Sequence, residues 1–264
     1  MALHLAVTGA SGRMGKRLVS LIAADPELEL VSAVEAAGHD ALGSDAGELA
    51  GAGKLGVEVT AGLAGEIDCI IDFSFHEAAP GNAAAAVDLK AGLVCGTTGL
   101  TPEERAAVEA AAEYVPLVFE PNMSVGVNLL FESVGKVAAS LGEDYDVEIV
   151  ETHHRFKKDA PSGTALKLAG KIADGRAQKL EKAIRHGREG QVGERPRGEI
   201  GMHAVRQGDV VGEHVITFTT IGETVTVAHR AHSRDAFASG ALRAAKFLAG
   251  KGPGRYSMAE VLGL

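Results

Sequence analysis

LHLAVTGASGRMG, residues 3–15, carries the pattern that decides the fold of this chain. It opens with a short apolar run, continues through three glycines at three-residue spacing, and leads into a helical pattern that reaches about residue 24. Such a turn lets a pyrophosphate approach the backbone N–H groups at a helix start. The order of strand, glycine loop and helix predicts a dinucleotide-binding unit, although G-x-x-G-x-x-G is a variant of the usual spacing. The glycines are Gly9, Gly12 and Gly15.

Glu35 ends the next predicted strand, 20 residues after Gly15. A carboxylate at this point accepts hydrogen bonds from the adenosine ribose hydroxyls and repels a 2'-phosphate. Ala36 and Ala37 follow it, so no arginine stands there to neutralise such a phosphate. The pattern therefore favours NADH, while Arg13 in the loop leaves a phosphate contact open. The alternative is a glycine-rich turn that binds no nucleotide.

Short apolar runs alternate with alanine-rich segments up to residue 119. This alternation predicts a parallel, doubly wound sheet with helices on its faces. Residues 38–56 contain six glycines and predict an irregular loop. The predicted strands are 3–7, 28–35, 68–73, 93–96 and 115–119, and the predicted helices are 12–24, 77–91 and 102–114.

A different pattern begins after residue 122. It predicts helices at 125–141 and 163–174, the second with Ser162 as its N-cap, around a strand at 146–154. Three β-rich runs separated by short turns then predict an antiparallel meander. A closing helix at 235–249, with Ser233 as its N-cap, returns to the first domain. The three runs are 200–208, 209–220 and 224–232.

The fold class predicted from these patterns is α/β. A Rossmann-type domain with a doubly wound parallel sheet covers residues 1–124 and is completed by residues 235–264. An α+β domain for substrate binding and oligomerisation, with a mixed and largely antiparallel sheet, covers residues 125–234.

Composition limits the class of protein further. The 264 residues carry a formal net charge of −9, which argues against nucleic acid or an anionic membrane as the main partner. No stretch approaches the ~20 apolar residues of a membrane span, and MALHLAVTGA lacks the features of a signal peptide. Cys69 and Cys95 lie in apolar runs and predict buried thiols. A cytoplasmic protein is expected.

ETHHRFKKDAPSGTA, residues 151–165, concentrates ionisable groups in an otherwise acidic chain. Histidine exchanges protons near neutral pH, and cations beside a helix start attract carboxylates. The stretch predicts a carboxylate-binding pocket with built-in acids; a solvated basic loop is the alternative. Zinc is disfavoured because no third ligand stands near, so no metal is predicted. The histidines are His153 and His154, and the cations are Arg155, Lys157 and Lys158.

Six motifs together resemble the dihydrodipicolinate reductases, in order over nearly the whole chain. The resemblance implies a two-domain homotetramer in lysine and diaminopimelate biosynthesis, which reduces a cyclic dicarboxylate with NADH or NADPH. It also implies hydride transfer from nicotinamide C4 to ring C4 of the substrate. The motifs are GASGRMG (9–15), GTTG (96–99), PNMSVGVN (121–128), residues 151–165, VGEH (211–214) and SRDAFASGA (233–241).

Site roles follow from the same resemblance. His153 matches the proton donor and acceptor, and Lys157 matches the second proton donor. Many relatives carry an arginine where this chain has Ala36, and commonly an alanine where it has Glu120. Substrate positions are His154, Lys157, Gly163 and Thr164. Beyond the resemblance, the proposed chemistry suggests a hydrogen bond from Thr98 between cofactor and substrate. Arg234, at the second junction between the predicted domains, stays open as a substrate contact, a hinge or a surface residue. Cofactor positions are Gly9, Ala10, Ser11, Gly12, Arg13, Met14, Glu35, Gly96, Thr97, Thr98, Glu120, Pro121, Asn122 and Met123.

Because cofactor loop and proton donors fall in different predicted domains, closure of the domains is expected to assemble the site. Two other functions stay open at this point. One is a non-catalytic dinucleotide sensor, which the concentration of acids in residues 151–164 disfavours. The other is a two-domain reductase of a different small acid or aldehyde, although neither cysteine lies in the second domain.

Overall fold

The computed structural model describes residues 2–264, so residue 1 of the predicted first domain lies outside the described residues. The chain divides into a first unit, which runs to Val125 and resumes over Arg234–Leu264, and a second unit, Gly126–Ser233. Which unit binds cofactor and which binds substrate stays a prediction.

Strands and helices are numbered here along the described chain. The strands are β1 (Leu3–Thr8), β2 (Leu28–Val34), β3 (Val59–Thr60), β4 (Cys69–Asp72), β5 (Gly92–Cys95), β6 (Pro116–Phe119), β7 (Asp146–His153), β8 (Ile184–His186), β9 (Ile200–Arg206), β10 (Gly212–Thr220), β11 (Glu223–Ala231) and β12 (Gly254–Tyr256). The α-helices are α1 (Arg13–Ala24), α2 (Ala46–Ala50), α3 (Ala79–Leu89), α4 (Pro102–Ala110), α5 (Val125–Leu141), α6 (Gly163–Gly175), α7 (Leu180–Ala183), α8 (Asp235–Leu248) and α9 (Met258–Leu262). Short 3-10 helices cover His76–Ala78, Ala111–Glu113 and Gly142–Asp144.

The first unit is built on a seven-stranded parallel sheet in the order β3-β2-β1-β4-β5-β6-β12. This is the doubly wound order, and it reverses between β1 and β4. Strands β4 and β5 are buried along their whole length because helices cover both faces of the sheet. On β4, Ile71 packs toward α1 and α8 while its neighbour Ile70 packs toward α3 and α4. The predicted Rossmann-type sheet is confirmed.

Several details of this unit differ from the prediction, among them the two-residue strand β3, which was not predicted. Residues 38–56 are not wholly irregular, because Asp45 caps the short helix α2 by accepting hydrogen bonds from Gly47 N and Glu48 N at 2.9 and 3.0 Å. Arg234, and not Ser233, occupies the N-cap position of α8. The C-terminal β12 and α9 were not predicted, since runs of three and five residues carry too little periodicity.

The second unit contains a five-stranded mixed sheet in the order β11-β10-β7-β9-β8. Strand β10 is antiparallel to both β11 and β7, whereas β9 is parallel to both β7 and β8. The mixed sheet is confirmed, but the three-strand meander is wrong because β7 lies between β9 and β10. A period of two identifies a strand and its buried face, not its neighbours. Helices α5 and α6 pack on one face of this sheet.

Ser162 caps α6 as predicted, since its side chain accepts a hydrogen bond from Ala165 N at 3.1 Å. Cys69 and Cys95 are buried free thiols, as predicted. None of the helices in residues 2–264 combines the length and apolar composition that a membrane span requires.

Candidate active site

The glycine loop between β1 and α1 lies against the backbone that follows β4. Gly9 has φ +73°, and a Cβ placed on it would lie 2.6 Å from the carbonyl oxygen of Phe73. A Cβ on Gly15 would lie 2.0 Å from the carbonyl oxygen of Gly9. Neither position accepts a side chain, so the loop forms a cradle of bare backbone at the start of α1.

Glu35, directly after β2, reaches back to this loop. Its Oε1 accepts hydrogen bonds from Ser11 N at 2.8 Å and from Ser11 Oγ at 2.7 Å. The exposed Ala36 and Ala37 follow it. The Glu35 carboxylate therefore fixes the conformation of the loop.

A buried carboxylate that sequence reasoning missed organises the neighbouring strand ends. Asp72, the last residue of β4, is fully buried and its Oδ1 accepts hydrogen bonds from Thr8 Oγ1 at 2.7 Å and Ser74 Oγ at 2.6 Å. Ser74 N also donates to Thr97 Oγ1 at 3.1 Å. This network ties the ends of β1 and β4 to the predicted GTTG contact, and it leaves Thr97 buried while Thr98 is exposed.

The predicted cofactor positions share one edge of the parallel sheet. They follow the carboxyl ends of β1, β2, β5 and β6, where ligands of open α/β sheets bind. We call this set the cofactor edge; it comprises Gly9–Met14, Glu35, Gly96–Thr98 and Glu120–Met123.

The histidine face is the second cluster, and it lies wholly in the second unit. Glu151 and His153 share one face of β7 because side chains two residues apart point the same way. His214 of β10 is paired with Glu151, and Arg206 of β9 is paired with His153. A Cβ on Gly212 would lie 3.1 Å from His153 Nε2. These five residues, from three neighbouring strands, define the histidine face.

Glu151 has no exposed surface and binds four donors. Arg206 donates to both carboxylate oxygens, at 2.9 and 2.8 Å, and Ser162 N donates to Oε1 at 3.0 Å. His153 Nδ1 lies 2.5 Å from Oε2. Burial opposes ionisation of Glu151, but the bonds from Arg206, His153 and Ser162 outweigh it and hold the pKa of Glu151 below its ordinary value.

For the two imidazoles, burial lowers the pKa, since it disfavours their positively charged form. It lowers the pKa of His153, against the attraction of Glu151. It lowers the pKa of His214 to about 3, and the charge of His153 adds to this shift. The two rings meet edge to face with centroids 5.3 Å apart, and His214 Nε2 lies 3.2 Å from Ser162 Oγ.

Lys157 lies in the loop after β7 and is not a free cation. Its Nζ forms an ion pair with Asp159 Oδ1 at 2.9 Å, and its side chain is 22% exposed. Arg206 also donates to the carbonyl oxygen of Asp159 at 2.6 Å, so the guanidinium that holds Glu151 also anchors this loop. Sequence reasoning missed Asp159 as the partner of Lys157.

The predicted substrate positions divide between the two units. His154, Gly163 and Thr164 lie in the second unit, the last two opening α6, and His154 Nδ1 is buried without a hydrogen-bond partner within residues 2–264. Thr98 and Arg234 lie in the first unit.

Arg234 stands at the N-cap of α8, which an ion pair holds against α1. Arg17 Nε and NH2 donate to the two carboxylate oxygens of Asp235 at 2.5 and 2.9 Å. Burial lowers the pKa of Arg234, and the positive charge of Arg13 adds to this shift. Two predicted contact residues, Arg13 and Arg234, therefore repel one another electrostatically, which an anion bound near both would relieve.

Comparison with known proteins decides the family. Residues 3–123 match the model described as dihydrodipicolinate reductase, N-terminus, and residues 126–262 match dihydrodipicolinate reductase, C-terminus. The 4-hydroxy-tetrahydrodipicolinate reductase of Anaeromyxobacter sp. (strain Fw109-5) is 52% identical over 264 residues, covering 99% of this chain and 98% of that one. The chain belongs to the dihydrodipicolinate reductase family.

Two further proteins support the assignment to this family. The 4-hydroxy-tetrahydrodipicolinate reductase of Syntrophus aciditrophicus (strain SB) is 46% identical, covering 97% of each chain. The solved dihydrodipicolinate reductase from Paenisporosarcina sp. TG-14, which has dipicolinate bound, shares the fold with a TM-score of 0.76 at 24% identity, over 98% of this chain and 99% of that one. As a reductase of this family, the chain is an enzyme and not the non-catalytic sensor that its sequence left open.

Sequence reasoning missed four members of the reductase's histidine face: Glu151, Arg206, Gly212 and His214. Glu151 stands inside the quoted motif, and the period of two in DVEIVETH is the signal that places it beside His153. Arg206 and His214 are distant from Glu151 in the sequence, and only the pairing of β7 with β9 and β10 places them beside Glu151 and His153. Together these groups can hold and orient an imidazole and exchange a proton through it.

The low pKa of His214 predicts a loss of stability in acid. The unfolded chain takes up this proton near the ordinary pKa of 6.5, whereas the folded reductase resists it until about pH 3. Between these values the unfolding free energy falls with falling pH, by about 2 kcal/mol from His214 between pH 6.5 and 5. Urea unfolding at several pH values should show a shallower dependence for His214→Asn. His232→Asn, at an exposed histidine, is the control and should keep the pH dependence of the parent protein. If His214→Asn also keeps the parental pH dependence, the prediction is wrong.

Proposed function

We propose that this chain reduces 4-hydroxy-tetrahydrodipicolinate to tetrahydrodipicolinate with NADH or NADPH, for lysine and diaminopimelate synthesis. The observation that carries the proposal is the 52% identity, over 99% of the chain, to a reductase of that name. The two clusters described above add the groups that such chemistry needs, a backbone cradle for a dinucleotide and a set of proton donors.

The cofactor edge fits a dinucleotide. The cradle of Gly9 and Gly15 would be filled by any side chain, and the N–H groups at the start of α1 attract a pyrophosphate. Glu35 binds Ser11 through Oε1, which leaves Oε2 to accept from a ribose hydroxyl. When bound, a reduced nicotinamide supplies the hydride.

The second unit supplies the carboxylate contacts. The Lys157 ammonium and the backbone N–H groups that open α6 suit the two carboxylates of the substrate, and the buried His154 Nδ1 adds a polar group that still lacks a partner within residues 2–264. Thr98, exposed on the cofactor edge, suits a hydrogen bond to either molecule. We expect closure of the two units to bring these groups together during turnover.

His153 and Lys157 are the proposed proton donors. With Nδ1 held by Glu151, the imidazole exchanges its proton at Nε2, beside the bare backbone of Gly212. The Lys157 ammonium holds a second proton on the loop that Arg206 anchors. General acid catalysis of this kind contributes roughly 10²- to 10⁴-fold.

An assay tests the function directly. Purified protein should consume NADH or NADPH when the pathway substrate is generated in situ by the preceding synthase. Consumption without the synthase, or none with it, would refute the proposal.

We further propose that NADH is used at least as well as NADPH, because Glu35 repels a 2'-phosphate and no arginine follows it. Ala36→Arg should raise kcat/KM for NADPH about tenfold relative to NADH by supplying that charge. Ala52→Arg adds the same charge at another exposed position and serves as the control. A parent enzyme that strongly favours NADPH would show that another basic group, with Arg13 the first candidate, contacts the phosphate.

A homotetramer and a cytoplasmic location remain proposals from the resemblance. The long strand β11 supports assembly, since within residues 2–264 it pairs only with β10 and its other edge is open. Light scattering on the purified protein tests the assembly state.

A further inference from the structure

We propose that Glu151 is a positioning residue: its carboxylate fixes the tautomer and orientation of the His153 imidazole, so that Nε2 alone exchanges the proton. This inference rests on the proposed function, in which His153 handles a proton. It adds a role for Glu151, which stands in the motif of residues 151–165 but to which the resemblance assigns no part in the site.

The geometry of the carboxylate carries the argument. Glu151 is fully buried and is held by Arg206 from β9 and by the Ser162 backbone at the cap of α6. An ionised carboxylate only accepts hydrogen bonds, so the 2.5 Å contact requires a proton on His153 Nδ1. Nδ1 therefore stays protonated in both charge states of the ring, and only Nε2 gains or loses a proton.

The charges around the imidazole show why a carboxylate is needed here. Glu151 faces His153 from its own strand, Arg206 from β9, His214 from β10 and Lys157 from the following loop. Arg206 and Lys157 are cations, and His214 is neutral above about pH 3. Asp159, the other acid nearby, is paired with Lys157. Within residues 2–264, Glu151 is thus the group that favours protonated His153 against burial and two cations.

The role also explains the packing on the other side of the ring. The position of Gly212 on β10 puts bare backbone against His153, and an added Cβ would lie 3.1 Å from Nε2. A side chain there would crowd the one atom that exchanges the proton. Glu151 holds one nitrogen and Gly212 leaves room at the other.

Glu151→Gln removes the charge while keeping the shape. In this variant the decline of kcat/KM with rising pH should move to lower pH by about one unit or more, because protonated His153 loses its counter-charge. At neutral pH kcat should fall about tenfold, with KM for the substrate little changed. Glu151→Asp keeps the charge and should retain the parental position of that decline even where kcat falls.

Glu148→Gln is the matched control. Glu148 lies on the opposite face of β7, where it binds Arg188 and His203 at 2.8 and 2.7 Å, so its loss removes a comparable network without touching His153. It should leave the pH profile unchanged. If Glu151→Gln lowers thermal stability as Glu148→Gln does but also leaves the profile unchanged, Glu151 is only structural and the inference is overturned.

Nitrogen NMR of the imidazoles in the parent protein gives a readout that needs neither turnover nor a folded variant. We expect the neutral His153 ring to carry its proton on Nδ1. Finding the proton on Nε2 overturns the inference even in an active enzyme. An inactive parent with the Nδ1 tautomer refutes the proposed function and leaves the positioning role supported.

Discussion

Replacing Lys157 by alanine should lower kcat by about 10²- to 10⁴-fold while leaving cofactor affinity nearly unchanged. The ammonium is held by Asp159 in a loop that Arg206 anchors, so it is presented in a fixed place and not as a mobile surface charge. Its loss removes the group that we propose as a proton donor and as a counter-charge for a substrate carboxylate. Cofactor contacts are proposed for the first unit, which contains neither Lys157 nor its partner.

Lys158→Ala is the control for this variant, since Lys158 is the adjacent cation and is exposed. Steady-state kinetics with each substrate varied, together with NADH binding measured by calorimetry, separates the two effects. Normal turnover in Lys157→Ala would remove the residue from the mechanism. An equal loss in Lys158→Ala would mean that the net charge of the loop matters, and not the place of one ammonium.

Gly9→Ala should raise the dissociation constant for NADH on the order of 100-fold, which corresponds to about 2.7 kcal/mol. Alanine is strained at φ +73°, and its Cβ would lie 2.6 Å from the carbonyl oxygen of Phe73. The Phe73–Ser74 backbone cannot easily yield, because Ser74 is hydrogen-bonded to the buried Asp72 and to Thr97. The loop must shift instead, and with it the N–H groups that we propose bind the pyrophosphate.

Gly12→Ala makes the matched comparison in the same loop. Gly12 has φ −68°, and the nearest atom to an added Cβ is 3.1 Å away, so the substitution should weaken NADH binding much less. Melting curves of both variants distinguish lost binding from lost folding. If Gly9→Ala folds and binds NADH as the parent does, the loop does not form the cofactor cradle.

The first unit was largely predictable because its strands are buried on both faces. Apolar runs such as Cys69–Asp72 and Gly92–Cys95 can be identified as strands without knowing which strands they pair with. The alanine-rich segments between them favour helix. Helix α2 was missed because its start depends on the Asp45 side chain, a local capping interaction within a glycine-rich stretch.

The second unit shows the limit of the same reasoning. Each of its long strands was identified, but the place of β7 between β9 and β10 depends on a long-range pairing that alternation does not encode. For the same reason His153 and Lys157 were found in one motif, whereas Arg206 and His214 were not. Site residues contributed by neighbouring strands become visible only when the pairing is known.

The C-terminal segment has a consequence for how the chain matures on the ribosome. Strand β12 extends the parallel sheet beside β6, and α8 and α9 supply residues such as Leu242, Leu248 and Val261 to the core around β1. The first unit therefore cannot complete its hydrophobic core until residues 235–262 have been synthesised. The second unit, Gly126–Ser233, is one continuous segment and does not depend on residues made later. We therefore expect it to fold before the first unit, although most of the first unit is synthesised earlier.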